Sequence, residues 1–192
     1  MVIESIISHW KSLGITLNPL TSKNVSNYGL SNETIQFLST CGFPSQSPPF
    51  LSFVVDSEEP MLSINCLTEL YFDYNLSNDM DRYIVIGSDG GGNPIVINTE
   101  KGGQIEILDH ESDFETIHEM NSSVFTLSQS LVAYKRFIIT INKENGPDAF
   151  SKSYFTNKQY ANLKNELLSI NDSLIEYGFW EIILENLLNE RQ

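Results

Sequence analysis

The sequence predicts an α+β fold, in which a central, mainly antiparallel sheet forms a meander that helices cover on one side, with a helical C-terminal extension. Apolar residues recur at helical spacing near the N-terminus, and helical periodicity returns in the last third. Between these regions, short β-rich runs alternate with glycine-rich loops. We expect residues 1–192 to form one domain, with 150–192 as a helical extension packed on it.

The first fifty residues show two helix patterns. Apolar residues between Val2 and Leu13 recur at helical spacing, and Gly14 follows where a C-terminal cap is expected. Ser31 is placed to cap a second, short helix that stops at Gly42. The run Phe43–Pro49 then predicts a rigid connection, because each proline fixes φ and removes a hydrogen-bond donor.

The middle of the chain predicts strands. A β-rich run covers Phe50–Val55, and a weaker one covers Met61–Phe72. The clearest strands are Tyr83–Gly87, Pro94–Asn98 and Gln104–Leu108, with the glycine-rich loops Ser88–Asn93 and Thr99–Gly103 between them. Loops of this kind suit hairpins, so these three strands are predicted to form the antiparallel meander.

The last part of the chain predicts helices after an acidic segment, Asp109–Met120. A long helix is expected from about Val124, with Asn121 or Ser122 as its cap, and it ends at Asn145–Pro147. Two more helical stripes follow, from Tyr160 to Ile170 and from Phe179 to Leu188, with a bend expected at Gly178.

Net charge is concentrated in one third of the chain. The formal net charge is −14, from 11 basic and 25 acidic residues. Residues 1–55 carry no net charge, 56–119 carry −13 and 120–192 carry −1. The balance argues against a nucleic-acid binder, which needs clustered Lys and Arg, and against adsorption to anionic membranes.

The N-terminus and the cysteines favour a cytoplasmic protein. Glu4 lies where a signal peptide would carry basic residues, and no stretch approaches the eighteen or so apolar residues of a membrane span. Cys41 and Cys66 are widely spaced, which favours a buried, reduced pair, with a disulfide as the alternative.

Catalytic and metal-binding motifs are incomplete. His110–Glu111 begins like a zinc-protease motif, but Phe114 stands where the second histidine is required. An EF-hand loop starting at Asp109 would need glycine at Phe114 and glutamate at Met120. A solvated acidic face is therefore favoured over a zinc or calcium site, and we expect no metal and no cofactor.

Asp89–Asn93 is the most distinctive run in the chain. It lacks the Lys-Ser/Thr ending of a P-loop and leads into a strand, so it is predicted to be a hairpin turn. Three glycines are more than a minimal turn requires. The additional glycines suggest that a partner or a neighbouring segment approaches the backbone of this turn closely. Cys41 has no histidine nearby in sequence and is interpreted as a core residue rather than a nucleophile.

Several of these residues together resemble the SUKH superfamily, the family of the yeast cell-wall-synthesis regulator and many bacterial immunity proteins. Tyr83–Asn98 resembles its signature strand–turn–strand, although Asn98 stands where many members carry Asp. The following strand with its Asp109–Glu111 end, and the helix start Asn121–Phe125, resemble the family's next steps. Phe37–Pro44 and Phe179–Trp180 resemble group four of that superfamily.

The resemblance implies a SUKH-like α+β domain without enzymatic activity, acting as a cytoplasmic immunity protein that binds a cognate toxin, often a nuclease or a nucleic-acid deaminase. Such toxins need basic clefts, so we expect stoichiometric binding through an acidic face. The predicted binding residues are two tyrosine anchors and seven acids: Tyr71, Tyr74, Asp79, Asp81, Asp89, Asp109, Glu111, Asp113 and Glu115.

Two alternatives stay open at this point. One is a regulatory scaffold of the same fold without a toxin partner. The other is a metal-dependent hydrolase using Asp109, His110, Glu111 and His118. The leucine-rich stripe around Trp180 is compatible with a core or with a dimer seam, so a monomer or a weak homodimer is expected.

Overall fold

The computed structural model describes residues 2–170 and 178–191. It confirms the α+β class, with an open antiparallel sheet and a helical C-terminal part. The helices in this part of the chain are α1 (Val2–Ser12), α2 (Ser22–Val25), α3 (Asn32–Thr40), α4 (Leu67–Leu70), α5 (Val124–Asn145), α6 (Asn157–Ile170) and α7 (Phe179–Asn189). The strands are β1 (Gln46–Ser47), β2 (Leu51–Phe53), β3 (Asn65–Cys66), β4 (Tyr83–Ser88), β5 (Pro94–Asn98), β6 (Gln104–Asp109) and β7 (Glu115–Asn121).

The sheet is built around the predicted meander. Its order is β1-β2-β4-β5-β6-β7, and every pairing is antiparallel. The short strands β2 and β3 both pair with the same edge of β4. They follow one another along that edge. Because β4, β5 and β6 are joined by tight hairpins, their turns alternate between the two ends of the sheet.

Both faces of the central strands are buried. Six isoleucines of β4, β5 and β6 point to one face and join the main core with α1, α3, α5, α6 and α7: Ile84, Ile86, Ile95, Ile97, Ile105 and Ile107. Alternate residues, including Val85 and Val96, point to the other face and pack with Leu67 and Phe114. The large helices therefore cover one side, as predicted, and the connection that carries α4 covers part of the other.

Two sequence predictions need correction. The weak β-run Met61–Phe72 contains strand only at Asn65–Cys66, and it continues as α4, because this segment closes the second face of the sheet instead of extending the sheet. The acidic segment is not only a loop, since Glu115–Asn121 forms β7. Its burial pattern does not alternate, because its first three residues are exposed and its last two, Met120 and Asn121, are both buried.

Local capping follows the sequence closely. The Ser31 hydroxyl accepts a hydrogen bond from the Thr34 backbone N–H, at 3.1 Å, at the start of α3. The cap of α5 is Ser123, one or two residues later than predicted, in a reciprocal capping box with Thr126. Gly178, where a bend was expected, has extended backbone and is the N-cap of α7, and the preceding residues 171–177 lie outside the described residues.

The C-terminal helix is anchored in the main core. Trp180 of α7 is 2% exposed, and its indole Nε1 donates to Asn121 Oδ1 of β7, at 2.9 Å. Asn121 Nδ2 in turn donates to Ser130 Oγ of α5, at 3.1 Å. Trp180 is therefore a core residue in this structure. No helix in the described part of the chain is long and apolar enough to cross a membrane.

Candidate functional site

Three turns meet at one end of the sheet, which we call the acidic end: residues 48–50, 89–93 and 109–115. They join β1 to β2, β4 to β5 and β6 to β7. Asn93 Oδ1 accepts hydrogen bonds from His110 Nδ1, at 2.7 Å, and from the His110 backbone N–H, at 3.3 Å. Phe50 lies against Gly90, where an added Cβ would be 3.1 Å from the Cβ of Phe50. The three turns therefore form one continuous surface.

The glycine-rich turn is held by its own aspartate. Asp89 Oδ1 accepts from the backbone N–H groups of Gly91, at 2.8 Å, and Asn93, at 2.9 Å, while Oδ2 accepts from Asn93 Nδ2, at 3.1 Å. The turn joins the antiparallel pair β4 and β5, which confirms the hairpin-turn prediction, and a phosphate would have to compete with this carboxylate for the same donors. The additional glycines suggested that another segment approaches this turn closely. That segment is the turn between β1 and β2, which carries Phe50.

The turn after β6 directs carboxylates outward and one aromatic ring inward. Asp113 and Phe114 both have positive φ, +51° and +58°, which is uncommon outside glycine. Phe114 is buried, whereas Glu111, Asp113 and Glu115 are exposed. Asp109 Oδ1 accepts from the Glu111 backbone N–H, at 2.9 Å, and fixes the start of the turn.

Like charges face each other at the base of this turn. Asp109 and Glu115 are direct partners in the last pair of the β6–β7 ladder. Two carboxylates directly opposite one another destabilise an antiparallel pair. A destabilising arrangement of this kind at a protein surface is typical of a functional site.

The predicted tyrosine anchors lie beside this turn. The ring of Phe114 packs edge-on against Tyr71, at 4.7 Å between centroids, and Tyr74, at 5.3 Å. Burial, with a smaller contribution from Tyr74, raises the pKa of the Tyr71 phenol. Tyr74 remains 54% exposed. An apolar ring is therefore available at the surface next to the carboxylates.

Asp79 and Asp81 lie at the opposite end of the second face. They precede the start of β4, whereas Asp89 follows its end, and six residues at about 3.3 Å each separate the two ends by roughly 20 Å. Asp79 is 3.4 Å from the Arg82 guanidinium, and its hydrogen bond from Ser77 lowers its pKa. Asp81 accepts from Thr68 and Cys66. The structure thus brings seven of the nine predicted residues together and places these two elsewhere.

Basic residues near the sheet neutralise acids away from the acidic end. Between residues 56 and 119 the sequence has one Arg and one Lys. Arg82 lies next to Asp79, and Lys101 Nζ lies 3.0 Å from Glu106 and 3.2 Å from Glu119. Within residues 2–170 and 178–191, no Lys or Arg pairs with the five acids of the acidic end: Asp89, Asp109, Glu111, Asp113 and Glu115. No ion pair with Lys or Arg therefore neutralises these carboxylates in the described part of the chain.

Phe50 is a surface residue that was not among the binding residues predicted from the sequence. Its side chain is 85% exposed, and its backbone has φ +64°, a conformation that bulky residues rarely adopt. In the sequence it appeared as the first residue of a β-rich run, although the strand begins only at Leu51. The available signal was Pro48–Pro49 directly before it, which indicates a turn.

The metal-ligand and nucleophile candidates of the sequence can be located in the described residues. No group of three or more His, Cys, Asp or Glu side chains there is placed to hold a metal ion. Burial raises the pKa of the Cys41 thiol to about 12, so the reactive thiolate is disfavoured. His118 pairs with Ile107 in the sheet, and burial lowers its pKa.

Comparison with protein families identifies a relationship that covers most of the chain. The family model described as SUKH-4 immunity protein matches residues 17–186. The matched region includes the whole sheet and most of the helices, and therefore also the acidic end. Searches among curated proteins and among solved structures found no match.

Proposed function

Since the chain belongs to the SUKH-4 immunity protein family, we propose that it neutralises a cognate toxin by stoichiometric binding through its acidic end. The toxin class that fits is a nuclease or a nucleic-acid deaminase, because such an enzyme needs a basic cleft to attract phosphates. Binding alone accounts for protection, so no catalytic step is assigned to the chain. A cytoplasmic location follows from this role as part of the proposal.

The observation that carries this proposal is the set of five carboxylates at one end of the sheet that have no Lys or Arg partner in the described part of the chain. Uncompensated acids on adjoining turns attract a basic partner over a distance and raise the association rate. Tyr74 adds exposed aromatic surface of the kind that contributes binding energy at interfaces. The bound chain would occupy the basic surface that nucleic acid needs.

Neutralising the turn after β6 tests the proposal. The variant Asp109→Asn, Glu111→Gln, Asp113→Asn, Glu115→Gln should associate with the toxin at least about tenfold more slowly at low salt. Its association rate should also depend less on salt than that of the unmodified chain. The measurement is surface-based or stopped-flow kinetics at several salt concentrations, with the catalytically inactivated domain of the cognate toxin.

The same variant is expected to fold at least as stably, because it removes the facing carboxylates of Asp109 and Glu115, while the asparagine introduced in place of Asp109 keeps an acceptor for the Glu111 N–H. A matched control changes four exposed glutamates elsewhere to glutamine: Glu33, Glu58, Glu59 and Glu185. Equal slowing in the control, or unchanged kinetics in the first variant, would contradict binding through the acidic end.

A further inference from the structure

An apolar groove lies beside the acidic end. Its volume is about 710 Å³, within the roughly 300–1,000 Å³ of typical binding pockets. The β1–β2 tip forms one wall with Pro49 and Phe50, and α5, α7 and the turn after α5 contribute Tyr134, Leu187 and Phe150. One base, Lys135, and one acid, Glu190, also line it, so the groove itself carries no net charge. It therefore suits an apolar side chain.

Phe50 joins this groove to the acidic end. The residue lines the groove, and its Cβ lies against Gly90 of the glycine-rich turn. Gly90 permits this approach because it has no Cβ. A partner that covers the turns 89–93 and 109–115 would therefore also meet Phe50 and the mouth of the groove.

The backbone conformation of Phe50 is destabilising, and burial of its side chain does not offset this cost. Its φ of +64° is unfavourable for a bulky side chain, and its ring is left in solvent. Glycine or asparagine would suit this backbone better. Strained residues of this kind concentrate at binding sites, and exposed aromatic rings beside a pocket are typical interface anchors.

We propose that Phe50 and the groove form the apolar half of the toxin-binding surface and accept a hydrophobic side chain that lies beside the basic surface of the toxin. This inference rests on the proposed function and adds a second component to it. The acidic turns attract the basic partner, whereas the neutral groove holds an apolar residue next to them. Charge then governs association, and apolar burial governs dissociation.

Two variants separate this role from folding. Phe50→Gly removes the ring and relieves the positive φ, so its melting temperature should be equal or higher. Asn186→Trp places a large ring in the groove from an exposed position of α7. Each variant should bind the catalytically inactivated domain of the cognate toxin at least about tenfold more weakly, through faster dissociation at an unchanged association rate.

Tyr154→Ser is the matched control, because this aromatic ring is 67% exposed and does not line the groove. It should bind as the unmodified chain does. If the unmodified chain binds the toxin but Phe50→Gly and Asn186→Trp bind equally well, the groove is not part of the interface and only this inference is overturned. If the unmodified chain does not bind at all, the proposed function is overturned with it.

Discussion

Replacing Trp180 by alanine is expected to lower the free energy of unfolding by about 3–5 kcal/mol. The indole is almost fully buried and packs near Tyr134, at 6.1 Å between centroids, and Phe179, at 5.1 Å. Its removal leaves a cavity, and it also leaves the buried Asn121 carbonyl without its donor. Urea unfolding followed by far-ultraviolet circular dichroism measures the change.

Leu188→Ala on the same helix is the control, since Leu188 is 44% exposed and should cost less than about 1 kcal/mol. The comparison also tests the proposal that residues 150–192 belong to one cooperative domain. A single transition in the unmodified chain and a large loss for Trp180→Ala agree with it. Two separate transitions, or a Trp180→Ala loss no larger than that of Leu188→Ala, would contradict it.

Replacing Lys101 by methionine is expected to lower the free energy of unfolding by about 2 kcal/mol, between the values for exposed and for buried ion pairs, because Lys101 is half exposed whereas Glu106 is buried. Glu106 is fully buried on the second face, where Lys101 Nζ lies 3.0 Å from Oε1, Asn98 Nδ2 donates to the same oxygen and Thr116 Oγ1 donates to Oε2. Without Lys101 the carboxylate keeps two neutral donors but loses its counter-charge. The measurement is again urea unfolding.

The effect of Lys101→Met should depend on pH in a defined direction. The hydrogen bond with Glu106, followed by that with Glu119, raises the pKa of Lys101 against the opposing effect of burial. A raised folded-state pKa stabilises the fold fully below the ordinary lysine pKa of about 10.4 and ceases to do so as the pH rises through the higher folded value. The stability difference from the unmodified chain should therefore persist near neutral pH and shrink in strong alkali.

Glu119→Gln provides the control for this network, because Glu119 is partly exposed and its ion pair with Lys101 should contribute less than about 1 kcal/mol. In the background of Glu106→Gln, the loss on Lys101→Met should be much smaller. An equal loss in both backgrounds would show that Lys101 stabilises the fold through something other than the buried carboxylate.

Elements encoded by local patterns could be predicted from the sequence. The long helix α5 and the strands β4, β5 and β6 have strong periodicity and clear turn residues between them. Strand β7 was not recognised, because its outer residues are polar and it exists through pairing with β6. The helix α4 was missed for a similar reason, since it closes a sheet face that forms only after the strands have paired.

The candidate site was predictable in part. Charge segregation and turn chemistry identified the acids of the turn after β6, and the contacts of Phe114 with Tyr71 and Tyr74 depend on tertiary packing. Asp79 and Asp81 were grouped with them because they are close in sequence to other acids. Sequence distance does not determine position along a strand, and β4 separates these two from the rest.

Amide hydrogen exchange of the chain, with and without the inactivated toxin domain, tests whether the acidic end is the binding surface. If the acidic end is the binding surface, exchange in the complex should be slower at Phe50 and at residues 71–74, 89–93 and 109–115, with little change in α1 and α6. Slower exchange confined to α1, α3 or α6, with the acidic end unchanged, would contradict it.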